Sequence, residues 1–121
     1  MNNLVSERFN EFNDDLYDNI DCPIQVLGAV LGKKWVGKII WTIKNDKKRF
    51  GELQRALKGC SKKVLSQQLE LLISYEIIIN EKREIGNTIE SFYYLSEKGI
   101  ELVPIIAMMI NWGQDIMKCN K

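Results

Sequence analysis

At 121 residues, 45% hydrophobic and 27% charged, the chain has room for one domain with a real core, and its composition is that of a soluble globular protein. It contains no histidine, which removes the usual general base, the Ser-His and Cys-His nucleophile arrangements and the commonest metal ligand together. With no phosphate-cradling glycine motif either, an enzyme is not expected, and neither is a cofactor or a metal site.

The net charge of +1 hides a strong asymmetry. Residues 1–21 carry six acids against Arg8, a net of −5, whereas residues 33–63 carry eleven Lys or Arg against Asp46 and Glu52, a net of +9. Such polarity suggests a positive face for a polyanion and an acidic arm kept away from it. For most of these lysines, including Lys44 and Lys58, plain solvation is the simpler reading.

In chain order, Phe9, Phe12, Leu16 and Ile20 recur every three or four residues. Residues 4–20 are therefore a candidate amphipathic helix with an acidic outer face and a need for an apolar partner. Cys22-Pro23 then opens a second helix, with Pro at the first helical position, followed by Val26, Leu27, Val30 and Leu31. Gly32-Lys33-Lys34 interrupts it. Trp35, Val36, Ile39, Ile40 and Ile43 resume the pattern as a buried helix ending near Asn45.

Residues 50–72, FGELQRALKGCSKKVLSQQLELL, have the form of a helix-turn-helix. Phe50, Leu53 and Leu57 lie at helical spacing, Lys58-Gly59-Cys60 makes the corner, and Leu65, Leu69, Leu72 and Ile73 face inward on the second helix. Ser61 caps that helix. Lys62 and Lys63 on its first turn suit phosphates, while Ser66 and Gln67 one turn later suit base edges.

Beyond Glu76, the β-branched and aromatic residues Ile77 to Ile79 and Ile89 to Leu95 flank Gly86-Asn87 and read as a β-hairpin. A hairpin after a recognition helix is a wing, whose Lys82 and Arg83 would reach backbone phosphates or the minor groove; beside Glu81, Glu84 and Glu90, the same two residues also read as ordinary solvated strand charges. Ser96 and Glu97 start a last helix running to about Lys118, apolar on more than one face and bent at Pro104. One face covers the domain and the second meets another subunit. The apolar stretch 102–110 is far below the roughly 20 residues of a membrane span, and the acidic N-terminus is no signal peptide, so a cytoplasmic protein is expected. Cys22, Cys60 and Cys119 lie too far apart to suggest a disulfide framework or zinc site.

Several motifs resemble the HxlR-type winged-helix transcriptional regulators, related in architecture to the MarR group. They are Cys22-Pro23, Leu31-Gly32-Lys33-Lys34-Trp35, Lys48-Arg49-Phe50-Gly51-Glu52-Leu53, the run from Gly59 to Leu69, Tyr93-Tyr94-Leu95-Ser96-Glu97-Lys98-Gly99 and Trp112-Gly113. The similarity spans roughly residues 22–113. It implies a homodimeric regulator whose helix after Ser61 enters the major groove of a palindromic double-stranded DNA operator. In several family members the Cys of the Cys-Pro pair senses oxidants or electrophiles, which points to Cys22. The family's wing usually carries prolines and an Arg, whereas Ile85-Gly86-Asn87-Thr88 with Glu90 stands here and weighs against strong minor-groove contact; Cys60 replaces an aliphatic residue at the corner.

The expected fold is mainly α with a small β-hairpin: an acidic N-terminal arm (1–21), a winged helix-turn-helix (22–95) and a C-terminal dimerisation helix (96–121). The DNA-binding set is Arg49, Ser61, Lys62, Lys63, Ser66, Gln67, Lys82 and Arg83. The dimer interface is expected from Phe9, Phe12, Leu16, Leu102, Ile105, Ile106, Met109, Ile110, Trp112 and Ile116. The competing class is a winged-helix protein-interaction module that offers the same basic face to an acidic protein.

Overall fold

The structure, a computed structural model, describes residues 21–117, and side chains from Pro23 onward. The expected helix over 4–20, with Phe9, Phe12 and Leu16, lies outside the described residues, as does Cys119. What is described falls into two units, one ending at Gly32 and the other beginning at Lys33.

The first unit holds helix α1 (Asp21–Leu31). Pro23 lies within this helix rather than opening it. Gly32 closes the helix, its N–H donating to the Gly28 carbonyl at 2.9 Å.

The second unit runs α2 (Val36–Ile43), β1 (Lys48–Arg49), α3 (Phe50–Ala56), α4 (Lys62–Ser74), β2 (Ile78–Ile85), β3 (Thr88–Leu95) and α5 (Glu97–Ile116). Its core is aliphatic. Val36, Ile39, Ile40 and Ile43 of α2 are sealed from solvent, as are Leu53 of α3, Leu65, Leu69 and Leu72 of α4, and Ile78 of β2. Ile73 is only half-buried, because it lies at the edge of the α4 stripe. Helix α2 stops at Ile43, two residues short of the expected Asn45.

Local chemistry sets the helix ends. Glu52 Oε1 accepts the Arg49 N–H at 2.8 Å, closing one orphan donor at the start of α3. That donor, the largest influence, holds the Glu52 carboxyl below its ordinary range. Gly59 takes φ +92° at the corner, a left-handed conformation that favours glycine. Ser61 Oγ accepts the Val64 N–H at 3.1 Å, as the cap reading expects. At the other end of α4 the Ile77 N–H reaches the Leu72 carbonyl and the Glu76 N–H the Ile73 carbonyl, both at 2.9 Å. This is a Schellman closure, with Glu76 at φ +61° in the place glycine usually takes.

The sheet is antiparallel with order β1-β3-β2. The expected hairpin forms with Gly86-Asn87 as its two-residue turn, although Ile77 belongs to the Schellman closure rather than to β2. The third strand, β1, was not expected. Two residues are too few to show a period-two pattern, and its pairing of Lys48 with Tyr93 and Arg49 with Phe92 spans more than forty positions.

Helix α5 runs through Pro104 without interruption. Ser96 anchors its start: Oγ accepts the Gly99 N–H at 3.1 Å and faces the Glu76 and Ile77 carbonyls as donor. Gly99 lies so close to the preceding connection that a methyl there would overlap the Ile77 carbonyl and crowd Leu95. Gly99→Ala should therefore cost about 1–3 kcal/mol, the usual range for forced overpacking, seen as a lower midpoint in urea unfolding. An unchanged midpoint would mean that α5 can withdraw from the connection between α4 and β2 at no cost.

Candidate nucleic-acid interface

Because α4 buries Leu65, Leu69 and Leu72, its opposite face must lie in solvent. Ser61, Lys62, Lys63, Ser66, Gln67, Glu70 and Ser74 are exposed, so the five α4-region residues singled out from the sequence share one accessible surface. Glu70 was missed; it is the one acid of α4. Its charge also acts on Tyr93, whose hydroxyl pKa is pushed up first by burial and second by Glu70.

The helix is held in place by a contact that no local pattern announces. Gln68 Oε1 accepts the backbone N–H of Trp35 at 3.2 Å, serving the N-cap residue of α2, which has no side-chain cap of its own. The Trp35 ring lies against the corner, 3.8 Å from where a Gly59 methyl would stand. Lys34 and Lys38 bring their ammonium groups to 5.3 and 5.1 Å from the centre of that ring.

On the wing the expected cations divide. Strand alternation and register set Lys82 on the face shared with Ile78, Asn80 and Tyr93, the side that packs on the helices. Arg83 and Arg49 stand on the opposite face. Arg83 Nε meets Glu81 Oε2 at 3.1 Å, and Arg49 Nε lies 3.0 Å from Glu90 Oε1. The latter contact is electrostatic, since its angles leave that Glu90 oxygen without a hydrogen bond. Both guanidinium groups also lie over Phe92, that of Arg83 at 4.8 Å and that of Arg49 at 5.3 Å. Lys47 donates to Glu81 at 2.7 Å, and this bond with that from Arg83 holds the Glu81 carboxyl below its usual range. Arg49 and Arg83 are thus partnered within the chain, whereas among the described residues Lys62, Lys63 and Lys82 meet no carboxylate.

Helix α5 divides its set too. Leu102 and Ile106 are buried at 8% and 5% exposure and belong to the protein's own core, because they fall on the stripe facing α2 and the sheet. Ile105, Met109, Ile110, Trp112 and Ile116 are exposed. Met108, not expected, joins Ile105, Met109 and Trp112 around an open cavity of about 420 Å³.

Cys22 lies in α1, its side chain outside the described residues. Cys60 is buried at the corner, and burial pushes its thiol pKa up while the charge of Lys34 pulls it partly back. A thiol so raised is a poor nucleophile at neutral pH. Among the described residues no group of His, Cys, Asp or Glu could hold a metal ion, and no helix is long and apolar enough to cross a membrane.

A capped helix with an exposed polar face, a corner rich in lysine and a hairpin wing define a winged helix-turn-helix transcriptional regulator. The model of the HxlR-like helix-turn-helix family matches residues 30–121, and the chain belongs to that family. MalR of Fusobacterium mortiferum is 35% identical over 96 residues, 78% of this chain and 89% of its own. The HTH-type transcriptional regulator YodB of Bacillus subtilis is 32% identical over 97 residues, covering 78% and 85%. Among solved structures, the redox regulator HypR in its reduced form superposes with a TM-score of 0.70 at 30% identity, over 77% of this chain and 91% of that one.

Proposed function

We propose that this regulator binds a palindromic duplex operator as a homodimer in the cytoplasm, each protomer presenting α4 to a major groove. The observation that carries the reading is the division of α4 into a sealed aliphatic face and an open face of Ser61, Lys62, Lys63, Ser66 and Gln67. Lysines on the first turn meet phosphates, which position the protein, and Ser66 with Gln67 read bases. Lys82 of the wing adds a phosphate contact. Arg49 and Arg83 must first leave Glu90 and Glu81, and their contribution is correspondingly small. No catalytic step is part of this reading.

The dimer is supported by exposed Ile105, Met109, Ile110, Trp112 and Ile116, more apolar surface than one terminal helix of a small domain leaves in water. Leu102 and Ile106 support the interface from beneath. Phe9, Phe12 and Leu16 of the arm contribute further apolar surface. Two copies of α4 related by a two-fold axis call for half-sites about one helical turn apart, or a multiple of it.

Fluorescence anisotropy on the operator and on unrelated duplex tests the division of roles. The operator should saturate at two protomers per duplex. Lys63→Ala should weaken both duplexes alike and lower the salt slope by about one, whereas Gln67→Ala should cost about 1–3 kcal/mol on the operator alone. An operator preference untouched by Gln67→Ala would contradict the reading face.

We further propose that Cys22 is a redox input. HypR is a redox regulator, and YodB has been solved reduced, diamide-treated and quinone-bound; the similarity to both supports the reading. Modification of Cys22 would shift the two recognition helices relative to each other without contact with DNA. Diamide should lower operator affinity in wild type and in Cys60→Ser, whose thiol is buried, but not in Cys22→Ser. An equal loss in Cys22→Ser would assign the response to another cysteine.

A further inference from the structure

We infer that Lys34 and Lys38, stacked on Trp35, form a second seat for the phosphodiester backbone of duplex DNA, flanking the groove that α4 enters. The inference rests on the duplex-binding reading above and deepens it, because neither lysine belongs to the recognition helix or to the wing.

Five of the eleven cations of residues 33–63 show two different fates in the structure. Lys47, Lys48 and Arg49 are spent on Glu81, Asp46 and Glu90, at 2.7, 3.6 and 3.0 Å. Lys34 and Lys38 meet no carboxylate and no hydrogen-bond acceptor among the described residues. What holds each of them is the face of an indole ring, at 5.3 and 5.1 Å. A ring attracts an ammonium through its quadrupole and leaves the N–H donors of the ammonium unspent. These two charges are oriented by the protein yet remain open to a strong external acceptor.

Their platform moves with the recognition helix. Trp35 is buried, its N–H is fixed by Gln68 of α4, and its ring lies against Gly59 of the corner. The corner leads in two residues to Ser61 and the first turn of α4, where Lys62 and Lys63 are exposed. The pull of Lys34 on the buried Cys60 thiol agrees with a charge close to the corner. Two ammonium groups on Trp35 and two on the first turn of α4 are thus linked through Gln68 and the corner. A spread of unneutralised positive charge fits a regular polyanion, and a phosphodiester backbone presents a charge at every step.

Salt titration of duplex binding tests the inference. Each phosphate neutralised releases counterions and contributes about 0.9 to the magnitude of the slope of log affinity against log salt. The double substitution Lys34→Gln with Lys38→Gln should therefore lower the slope by about 1.8 on operator and unrelated duplex alike. Between 50 and 200 mM salt, the variant's affinity would then fall about twelvefold less than that of the wild type. Each single substitution should give half the change in slope, the Arg counterparts should restore it, and Lys47→Gln should leave it near the wild-type value. An unchanged slope in the double variant, or a loss confined to the operator, would overturn the seat. A wild type that binds no duplex at any salt concentration would sink the duplex reading itself, an outcome visible before any substitution is made.

Discussion

The burial of one face of α4 is the constraint on which the rest of the molecule depends. Leu65, Leu69 and Leu72 are sealed from solvent, as are Val36, Ile39, Ile40 and Ile43 of α2 and Leu53 of α3. In a helix of 3.6 residues per turn, sealing one stripe fixes the direction of every other side chain. Lys63, Ser66 and Gln67 face outward because there is no other place for them. The Ser61 cap, the left-handed Gly59 and the Schellman closure at Glu76 then set where the helix starts and stops, so the exposed face is defined in length as well as in direction. The open polar surface of α4 arises as a by-product of core packing.

Electrostatics divides the remaining work. Glu81 and Glu90 neutralise Lys47, Arg83 and Arg49 on the outer face of the sheet, whereas the lysines around the corner have no such partner. Exposed ion pairs of this kind add little to stability. Their larger effect is on where positive potential remains, which is beside α4 and on Lys82 rather than across the wing as a whole. A chain with a net charge of only +1 can in this way present a concentrated positive surface without a strongly basic composition.

Much of this was legible in the sequence, and the parts that were not share a physical cause. Helices α2, α4 and α5 and the hairpin announced themselves by periodicity, by Ser caps at 61 and 96, and by Gly86-Asn87, all of them local signals. The two-residue strand β1, the Trp35 to Gln68 bond and the pairs Arg49 with Glu90 and Lys47 with Glu81 join residues more than thirty positions apart, and nothing near either partner marks them. Periodicity does not separate Leu102 and Ile106 from the exposed residues of α5, because an all-round apolar helix does not reveal which stripe its own domain takes. Gly99 carries no pattern at all; only the approach of the Ile77 carbonyl shows why a side chain does not fit there. In the candidate site, the α4 residues were readable and the corner lysines were not, because Trp35 reads as one more core residue until its ring is seen under two ammonium groups.

The central claim is that the open face of α4, with the corner beside it, is the surface that meets duplex DNA. Amide chemical-shift mapping by NMR, with a duplex added stepwise to isotope-labelled protein, tests it most directly. The account predicts that the largest shifts fall at the corner and in the first two turns of α4, with smaller ones at Lys82 and the smallest along the outer sheet face around Phe92. Shifts concentrated on the outer sheet face or on α5, with the first turns of α4 silent, would contradict it.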